Sequence, residues 1–403
     1  MRVLCLSLPS DDLGLPSRLL PIAAELRKRH HEVAFANPAP APTKLIASAG
    51  FENLPVVPVS VVPKGVPPAT PRVRDLDHLM ALLGYCDLAF TAAQVARWTN
   101  VIQRWRPDVV LDSIGVACCA AARVAGVPIV EVLQGDFHPD GPGLTWWLPP
   151  EPAPTPVDAF NEVLVKAKRS PVDRAARLLL GDVTLVVGSR ATDPVPDASL
   201  THVGSLAWGR ADDALPAGIP PARGRPLVFL YSGKARYRPG MTFWADSAVV
   251  AESTLAAVAD MDVDVVLAGG YQALPTSIPA NVTVLEFAPG QALARRADVF
   301  VHHGGHGSTL TGLTAGTPAL VIPTFSERES NGRRTALLGA GLCLVPDERD
   351  GERVLMSSTV AAALHRLFTD MDYRTSATRA GDDLAALPGA AAVVEAVERV
   401  GRG

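Results

Sequence analysis

Between residues 298 and 323 the chain reads "DVFVHHGGHGSTLTGLTAGTPALVIP". An apolar run, Val299 to Val301, leads into His302, His303, Gly304, Gly305, His306, Gly307, Ser308 and Thr309, with a helix expected to about Ala315. Glycines at such a strand-to-helix turn let the backbone approach a ligand closely. The helix start then presents free N–H groups and the positive end of its dipole, a combination that suits a diphosphate. Ser308 and Thr309 add hydroxyl donors, and a histidine adds a donor whose charge can switch. No lysine follows the last glycine, so this is not the lysine-bearing phosphate loop of nucleotide triphosphatases.

A second stretch with chemical potential lies near the start of the chain. "PSDDLGLPSRLLP", residues 9–21, follows the apolar run Val3-Leu4-Cys5-Leu6-Ser7-Leu8 and leads into an amphipathic segment ending at "ELRKRHHEVAFA". The layout is strand, loop, helix, strand. In open α/β sheets, loops at the carboxyl ends of strands handle ligands. This loop holds two carboxylates, Asp11 and Asp12, and no histidine. Asp12 could take a proton from a substrate or simply cap the helix that follows. "LQGDFHPDG" places Asp136 and His138 after the apolar run "PIVEV", where a carboxylate and an imidazole could do similar work.

These turns need a scaffold. The chain has 403 residues and 48% apolar content, enough for two or three domains with ample core. Strand-like runs near 2–8, 32–37, 107–112, 128–133 and 183–188 alternate with helix-length segments, including a long helical pattern over 75–104. That alternation predicts α/β architecture, with parallel sheets covered on both faces. "NPAPAPTKL", "VVPVSVVPKGVPPATPR" and "HPDGPGLTWWLPPEPAPTPVD" are Pro-rich and read as extended surface loops. In the last of these, Trp146 and Trp147 form either a lid or a hydrophobic tack for the loop. Residues 209–226, "GRADDALPAGIPPARGRP", have the composition of an interdomain linker. The alternation then restarts with "PLVFLYSG", "VDVVLAGG", "NVTVLEFA", "DVFVHHGG", "PALVIP" and "LCLVP". The expected organisation is a domain over 1–208, a linker over 209–226, a second domain over 227–387 and a terminal helix within 388–403.

Composition removes several functional classes. A net charge of −4 and a pI of about 6.1 argue against a nucleic-acid partner. Cys5, Cys86, Cys118, Cys119 and Cys343 are odd in number and lack C-x-x-C spacing, so they read as small buried hydrophobes of a reducing compartment. Residues 1–8 are too short for a signal peptide, and no apolar run reaches the ~18 residues of a membrane span. The expectation is a cytoplasmic protein, monomer or homodimer, without membrane contact.

"VHHGGHGST" followed by "AGTPALVIP" resembles the donor-binding signature of inverting, nucleotide-sugar-dependent glycosyltransferases of the GT-B type. These have two Rossmann-like doubly wound domains facing each other across a cleft. They include bacterial enzymes that glycosylate macrolides, enediynes, glycopeptides and aromatic polyketides. "MRVLCLSLP", "LLPIAAELRKRHHEVAFA", "RPDVVLDS" and "AGVPIVEV" look like the amino-terminal, acceptor-binding domain. "PLVFLYSG", "NVTVLEFAPGQALARRADVFVHHGGHGST" and "NGRRTALLGAGLCLV" look like the carboxy-terminal, nucleotide-sugar-binding one. The resemblance implies a hexosyltransferase that moves a sugar, with inversion, from a UDP- or TDP-sugar to a small-molecule natural-product acceptor. It implies no metal and no cofactor beyond the sugar donor. By position, it implies that His303 touches the donor's phosphates and that Gly304, Gly305, Gly307, Ser308 and Thr309 form the phosphate cradle. Ser232 and Gly233 would supply a second phosphate-side loop, and Phe287 and Ala288 would lie against the nucleobase.

The chain departs from that family in two places. The family often carries Asp-Gln before an Asn to hold sugar hydroxyls, whereas "FSERESNGRR" puts Glu327 and Arg328 ahead of Asn331. Glu327 still accepts hydroxyl hydrogen bonds. Arg328 brings a rigid cationic fork suited to a carboxylate or other anionic group, or pairs with Glu327 or Glu329 at the helix surface. The family's first loop usually reads Gly-His, the His being the base, and here it reads Gly14-Leu15. Asp112 matches the aspartate that orients that histidine. Asp12, Asp136 and His138 are the replacement candidates, unless the acceptor is an amine, thiol or acidic phenol that needs little base. Two other functions stay open: a non-catalytic nucleotide-sugar-binding partner protein, and a nucleotide-sugar epimerase of the same fold. The strings Asp75-Leu-Asp77, Asp262-Val-Asp264 and Asp370-Met-Asp372 are short enough to arise by chance. The helix start at Gly307, with His303, offers a metal-free way to stabilise a leaving diphosphate.

Overall fold

The apolar runs become strands of two parallel sheets in a computed structural model, which describes residues 1–209, 212–220, 224–233, 247–269, 277–349 and 352–402. The chain divides into two units. One comprises Met1–Pro68, Val73–Trp208 and Leu387–Gly403, the other Ala69–Arg72 and Gly209–Ala386.

The first unit is built on β1 (Arg2–Ser7), β2 (Glu32–Phe35), β3 (Glu52–Asn53), β4 (Val109–Ser113), β5 (Ile129–Leu133), β6 (Val183–Val186) and β7 (Thr201–His202). Their order is β3-β2-β1-β4-β5-β6-β7, with every pair parallel. Strand β4 and strand β5 are buried at all positions, as a sheet covered on both faces requires. The strand order reverses at β1 and β4, and the crevice outside the carboxyl ends of such strands is where open α/β sheets bind ligands. There Leu6 pairs with Asp112 and Ser7 with Ser113, so the loop after β1 and the turn after β4 leave the sheet side by side.

Two readings from sequence need correction in this unit. The Pro-rich "NPAPAPTKL" is not an extended loop throughout; the helix Pro40–Ser48 starts within it. Its first residue is a proline, a position where the missing N–H has no helical partner to lose. The long helical pattern over 75–104 is two helices, Leu76–Leu82 and Leu88–Trp105. Between them Gly84 has φ +93°, and a Cβ there would stand 2.5 Å from the Pro63 side chain. Asp87 then caps the second helix by accepting from Phe90 N at 3.1 Å.

The terminal helix Gly389–Val400 forms part of the first unit rather than an appendage to the second. Val393, Val394, Ala396 and Val397 are buried. The helix packs against the helix Gly14–Lys28 and against β5. Glu398 meets His31 Nε2 at 3.0 Å and Arg29 Nη1 at 3.4 Å, and Gly389 N donates to Val203 O.

The second unit carries β8 (Leu227–Tyr231), β9 (Asp264–Ala268), β10 (Val282–Leu285), β11 (Val299–His302), β12 (Ala319–Val321) and β13 (Gly341–Cys343). The order is β10-β9-β8-β11-β12-β13, again parallel throughout. Here the reversal falls between β8 and β11, where His302 pairs with Tyr231. Phe229 and Phe300 stack at 4.3 Å beneath that point and fix the two strands together. Of the expected linker, residues 212–220 form neither helix nor strand, and residues 210, 211 and 221–223 lie outside the described residues. No helix among the described residues is long and apolar enough to cross a membrane, and the five cysteines are free.

Candidate active site

In the second unit the adjoining ends of β8 and β11 deliver Ser232-Gly233 and His303-Gly304 to one place. The helix His306–Thr314 begins directly after, capped by Gly305. The glycines are needed there because His303 occupies the space beside them. At Gly233, with φ +73°, a Cβ would lie 3.0 Å from His303 Cε1, and at Gly305 one would lie 2.7 Å from His303 Nε2. Gly304, with φ +88°, has no room for a Cβ against the Arg328 carbonyl oxygen. Gly307 is different: nothing stands within 4 Å of a Cβ placed on it, so the first helical turn is open on that side.

The polar groups of this turn are neutral and partly unsatisfied. His302 is fully buried and its Nδ1 accepts from Gly304 N at 3.0 Å, which leaves the proton on Nε2. Burial lowers its pKa to about 3. His303 is 8% exposed and stands edge-on to Tyr231 at 5.6 Å. Its pKa is held well below the usual histidine value, first by burial and then by the charge of Arg328. His303 Nδ1 and Ser232 Oγ are buried with no hydrogen-bond partner. Each such group costs about 1–3 kcal/mol unless a ligand satisfies it. With the unpaired N–H groups of a helix start beside them, these atoms fit an anionic, hydrogen-bonding ligand. Ser308 is half-buried in the open turn. Thr309 is buried and its hydroxyl donates to Gly305 O at 3.2 Å, so it braces the turn.

Phe287, on the loop after β10, is 78% exposed, a free aromatic face of the kind a base can stack on. Ala288 beside it packs against the apolar cluster of Phe229 and Phe300. In the helix Ser326–Leu337, Asn331 Nδ2 donates both to Gly304 O and to Glu327 Oε1, each at 2.9 Å, and so ties the helix to the glycine turn. Glu329 pairs with Arg333 at 2.6 Å. Arg328 Nη1 donates to Thr324 Oγ1 at 2.6 Å and to Ser247 Oγ at 3.1 Å.

In the first unit, Asp12 is half-buried at the loop after β1. Its Oδ2 accepts from Ser10 Oγ at 2.7 Å and its Oδ1 from Gly14 N at 3.0 Å. The carboxylate is therefore oriented at the start of the helix Gly14–Lys28 while each oxygen keeps lone pairs. Leu15 follows in the first turn. Asp136 is buried within the short turn Gly135–Phe137. His138 is also buried; its Nδ1 accepts from Asp140 N at 3.2 Å, and burial lowers its pKa. Its Nδ1 lone pair is thus engaged by that N–H and its Nε2 carries the proton, so the ring is set as a hydrogen-bond donor.

Asp112 is wholly buried, with Oδ2 accepting from Gly115 N at 2.5 Å. Beside it stands a residue that sequence reasoning missed. Glu131 is its register partner on β5, accepts from Ile114 N at 2.7 Å, and is equally buried. Burial lifts the Asp112 carboxyl to about 6 and pushes Glu131 well up, the Asp112 charge adding to the latter. Ile114 between them has φ +65°, a costly backbone for a β-branched residue. Arg18 was also missed. It is 6% exposed, with Nη1 on Ser113 Oγ and Nη2 on Gln134 Oε1, each at 3.2 Å. The available signals were a lone carboxylate inside an apolar strand and a cation on the apolar face of a helix.

None of the Asp-x-Asp strings presents a converging pair. Asp75 caps a helix through His78 N, and Asp77 is buried, accepting from Thr155 Oγ1, Ala175 N and Ala176 N. Asp262 and Asp264 both pair with Arg225, and Asp370 accepts from Asp372 N. Among the described residues, the grouping with metal-ligand chemistry is Asp112, Cys119 and Glu131, whose ligand atoms lie within 4.8 Å of one another. At that depth two carboxyl groups favour sharing a proton over carrying two charges.

Comparison with known proteins agrees with this layout. Residues 252–400 match the family described as erythromycin biosynthesis protein CIII-like, C-terminal domain. The chain is 27% identical to the 3-alpha-mycarosylerythronolide B desosaminyl transferase of Saccharopolyspora erythraea, over 96% of this chain and 95% of that one. It is 28% identical to the L-demethylnoviosyl transferase of Streptomyces niveus, over 98% and 97%. Among solved structures, the glycosyltransferase VinC in complex with dTDP superposes with a TM-score of 0.72 at 22% identity, covering 100% of both chains. The spinosyn rhamnosyltransferase SpnG complexed with thymidine diphosphate gives 0.66 at 21%, covering 99% and 100%. The chain therefore resembles the bacterial natural-product glycosyltransferases over nearly its whole length, and its two parallel α/β sheets are those of the GT-B fold.

Proposed function

We propose that this protein transfers a sugar, with inversion and without a metal, from a thymidine or uridine diphosphate sugar to a small-molecule natural-product acceptor. The observation that carries the reading is the pair of unpartnered buried atoms, Ser232 Oγ and His303 Nδ1, beside the open helix start at Gly307. A donor diphosphate satisfies all three at once. The thymidine diphosphate bound in VinC and SpnG favours a TDP-sugar, and the spinosyn aglycone bound in SpnG favours a natural-product acceptor.

In this reading the second unit binds the donor and the first unit binds the acceptor. Phe287 stacks on the nucleobase, Ser232, Ser308, His303 and the backbone of Gly304, Gly305 and Gly307 hold the phosphates, and Glu327 accepts from sugar hydroxyls. The acceptor oxygen attacks the anomeric carbon from the face opposite the diphosphate, and the C–O bond to the diphosphate breaks with its electron pair. Fixed donors aimed at that developing charge do the work a metal does elsewhere. The acceptor's proton goes to a carboxylate of the first unit. Asp12 is the leading group, because two hydrogen bonds orient it while it remains half-exposed.

Calorimetric titration with TDP and UDP, followed by turnover of TDP-sugars against an aglycone panel, tests the proposal. Micromolar binding and an anomerically inverted product are expected. Binding without turnover on any acceptor would instead support a nucleotide-sugar-binding partner protein, the reading that Leu15 favours. Absence of nucleotide binding would end the proposal.

A further inference from the structure

Three polar atoms on the helix Leu88–Trp105 are buried and unsatisfied. Gln94 Oε1, Arg97 Nε and Trp98 Nε1 have no hydrogen-bond partner among the described residues. Gln94 is 8% exposed and Trp98 is fully buried. The spacing i, i+3, i+4 sets the three side chains beside one another on one helix face. Gln94 and Trp98 are a complementary acceptor and donor one turn apart, yet they are not joined to each other. Groups left unmade in a folded interior are costly, and a ligand that satisfies them recovers the loss.

The middle residue of the three is a cation. The Arg97 guanidinium lies over the Trp98 ring, 4.7 Å from its centroid. Among the described residues no carboxylate pairs with it; the groups that act on its charge are Cys118 and Tyr85. Burial pushes both of those groups up, so neither is an anion at ordinary pH. A permanent, planar cation is thus held half-buried among neutral neighbours.

Cys118 locates this group in the fold. It stands in the first turn of the helix Val116–Ala125, and its Sγ donates to Ser7 O, at the end of β1, at 3.6 Å. A Cβ on Gly115, two residues after β4, would lie 3.0 Å from the Cys118 Cβ. Arg97 therefore approaches the carboxyl ends of β1 and β4, where an open α/β sheet binds its ligand. Tyr85 brings flat apolar surface with it, stacked on Phe160 at 5.6 Å and edge-on to Phe90 at 5.3 Å.

Resting on the transfer reading above, we propose that Arg97, Trp98 and Gln94 form the subsite that anchors the acceptor through an anionic oxygen, a carboxylate or acidic phenol, with a hydroxyl beside it. Arg97 Nε and Trp98 Nε1 donate to the anion, and Gln94 Oε1 accepts from the hydroxyl. The acceptor class is thus an acidic aromatic compound. The three residues hold it and do not move its proton.

Calorimetric titration of the full chain with salicylate, methyl salicylate, benzoate and TDP tests the subsite. Thermal melting establishes that each variant is folded. Wild type should bind salicylate more tightly than its ester or benzoate. Arg97→Gln should weaken salicylate by about ten- to a hundredfold, the scale of a lost hydrogen bond to a charged group, and leave methyl salicylate and TDP unchanged. Arg97→Lys keeps the charge without the fork and should fall between the two. Gln94→Met should weaken salicylate and leave benzoate alone. The Trp98 indole N–H, assigned in NMR spectra through Trp98→Phe, should shift when salicylate is added. In turnover, acidic aglycones should outrank their methyl esters in kcat/KM, and Arg97→Gln should erase that advantage. Equal affinity of wild type for salicylate and its ester overturns the proposal, as does salicylate affinity kept within about threefold in folded Arg97→Gln. If Arg97→Gln does not fold, Arg97→Lys and Gln94→Met decide by the same criterion. Salicylate bound as expected by a protein that takes neither TDP nor UDP would instead remove the transfer reading and leave the anion site standing.

Discussion

Asp112 and Glu131 face each other from neighbouring parallel strands, both wholly buried, and each accepts one backbone N–H from the turn that opens the next helix. The resemblance read from the sequence implies a histidine for Asp112 to orient, and the chain carries Leu15 where that histidine is expected. The carboxyl of Glu131 is the partner Asp112 has instead. Their hydrogen bonds to Ile114 N and Gly115 N brace the turn in which Ile114 has its left-handed backbone, and Ser113 of the same turn accepts from the buried Arg18.

This pair should make the protein less stable as the solution becomes alkaline. Both carboxyls are raised on folding, Asp112 to about 6 and Glu131 well above its ordinary 4.5. The unfolded chain therefore loses its protons first, and stability falls as pH rises from about 4.5 through the folded values. The thiols of Cys5, Cys118 and Cys119 are pushed up by the same burial and stay protonated throughout. Glu131→Gln keeps an acceptor for Ile114 N and gives Asp112 a donor, so its melting temperature should fall less between pH 5 and pH 8. Glu131→Ala should lose about 2–4 kcal/mol at every pH, from the cavity and the unsatisfied N–H. Parallel slopes for wild type and Glu131→Gln would show that the pair shares no proton.

His303→Ala should lower turnover by about 10²–10³, the scale for removing one preorganised donor. Because burial keeps the ring neutral, the pH–rate profile of wild type should show no limb from His303 between pH 5 and 8. Activity within about threefold of wild type would assign the leaving-group role to the helix start and Ser232 alone.

The base is expected in the loop after β1. Asp12→Asn should reduce turnover by about 10²–10⁴ while donor affinity and melting temperature stay put. His138→Ala should cost far less, since the Nδ1 lone pair that could take a proton already accepts from Asp140 N. A collapse in Asp136→Asn with Asp12→Asn active would move the role to the turn Gly135–Phe137. Full activity in all three means that the acceptor brings its own nucleophile.

Chelator should change neither TDP affinity nor turnover. Each Asp-x-Asp string has partners within the fold, and in the proposed mechanism the helix start at Gly307 supplies N–H groups to the leaving diphosphate. A loss of activity in excess EDTA, restored by a divalent ion, would return one of those strings to the mechanism.

The parts of this site legible in sequence were those whose requirements are local. A glycine is needed where a neighbouring side chain or carbonyl leaves no room for Cβ, and His303-Gly304-Gly305 announces that need in consecutive residues. The sheets were legible because strands buried on both faces are continuous apolar runs. Glu131 and Arg18 were not, because a single charge in an apolar segment shows its purpose only once another strand supplies the partner. Prolines misled at Pro40, where the first turn of a helix tolerates them. Gly84 broke an apparently continuous helix because Pro63, distant in sequence, packs against it.

The helix Gly389–Val400 completes the first unit from the far end of the chain, and this sets an order of events during synthesis. When β7 has left the ribosome, the surface that Val393, Val394 and Val397 will cover is still bare. It stays bare while the whole second unit is made, roughly ten to forty seconds at ~5–20 residues per second. The amino-terminal unit is thus the first to be translated and the last to be finished, and its nascent form is the stage at which chaperones have most to protect.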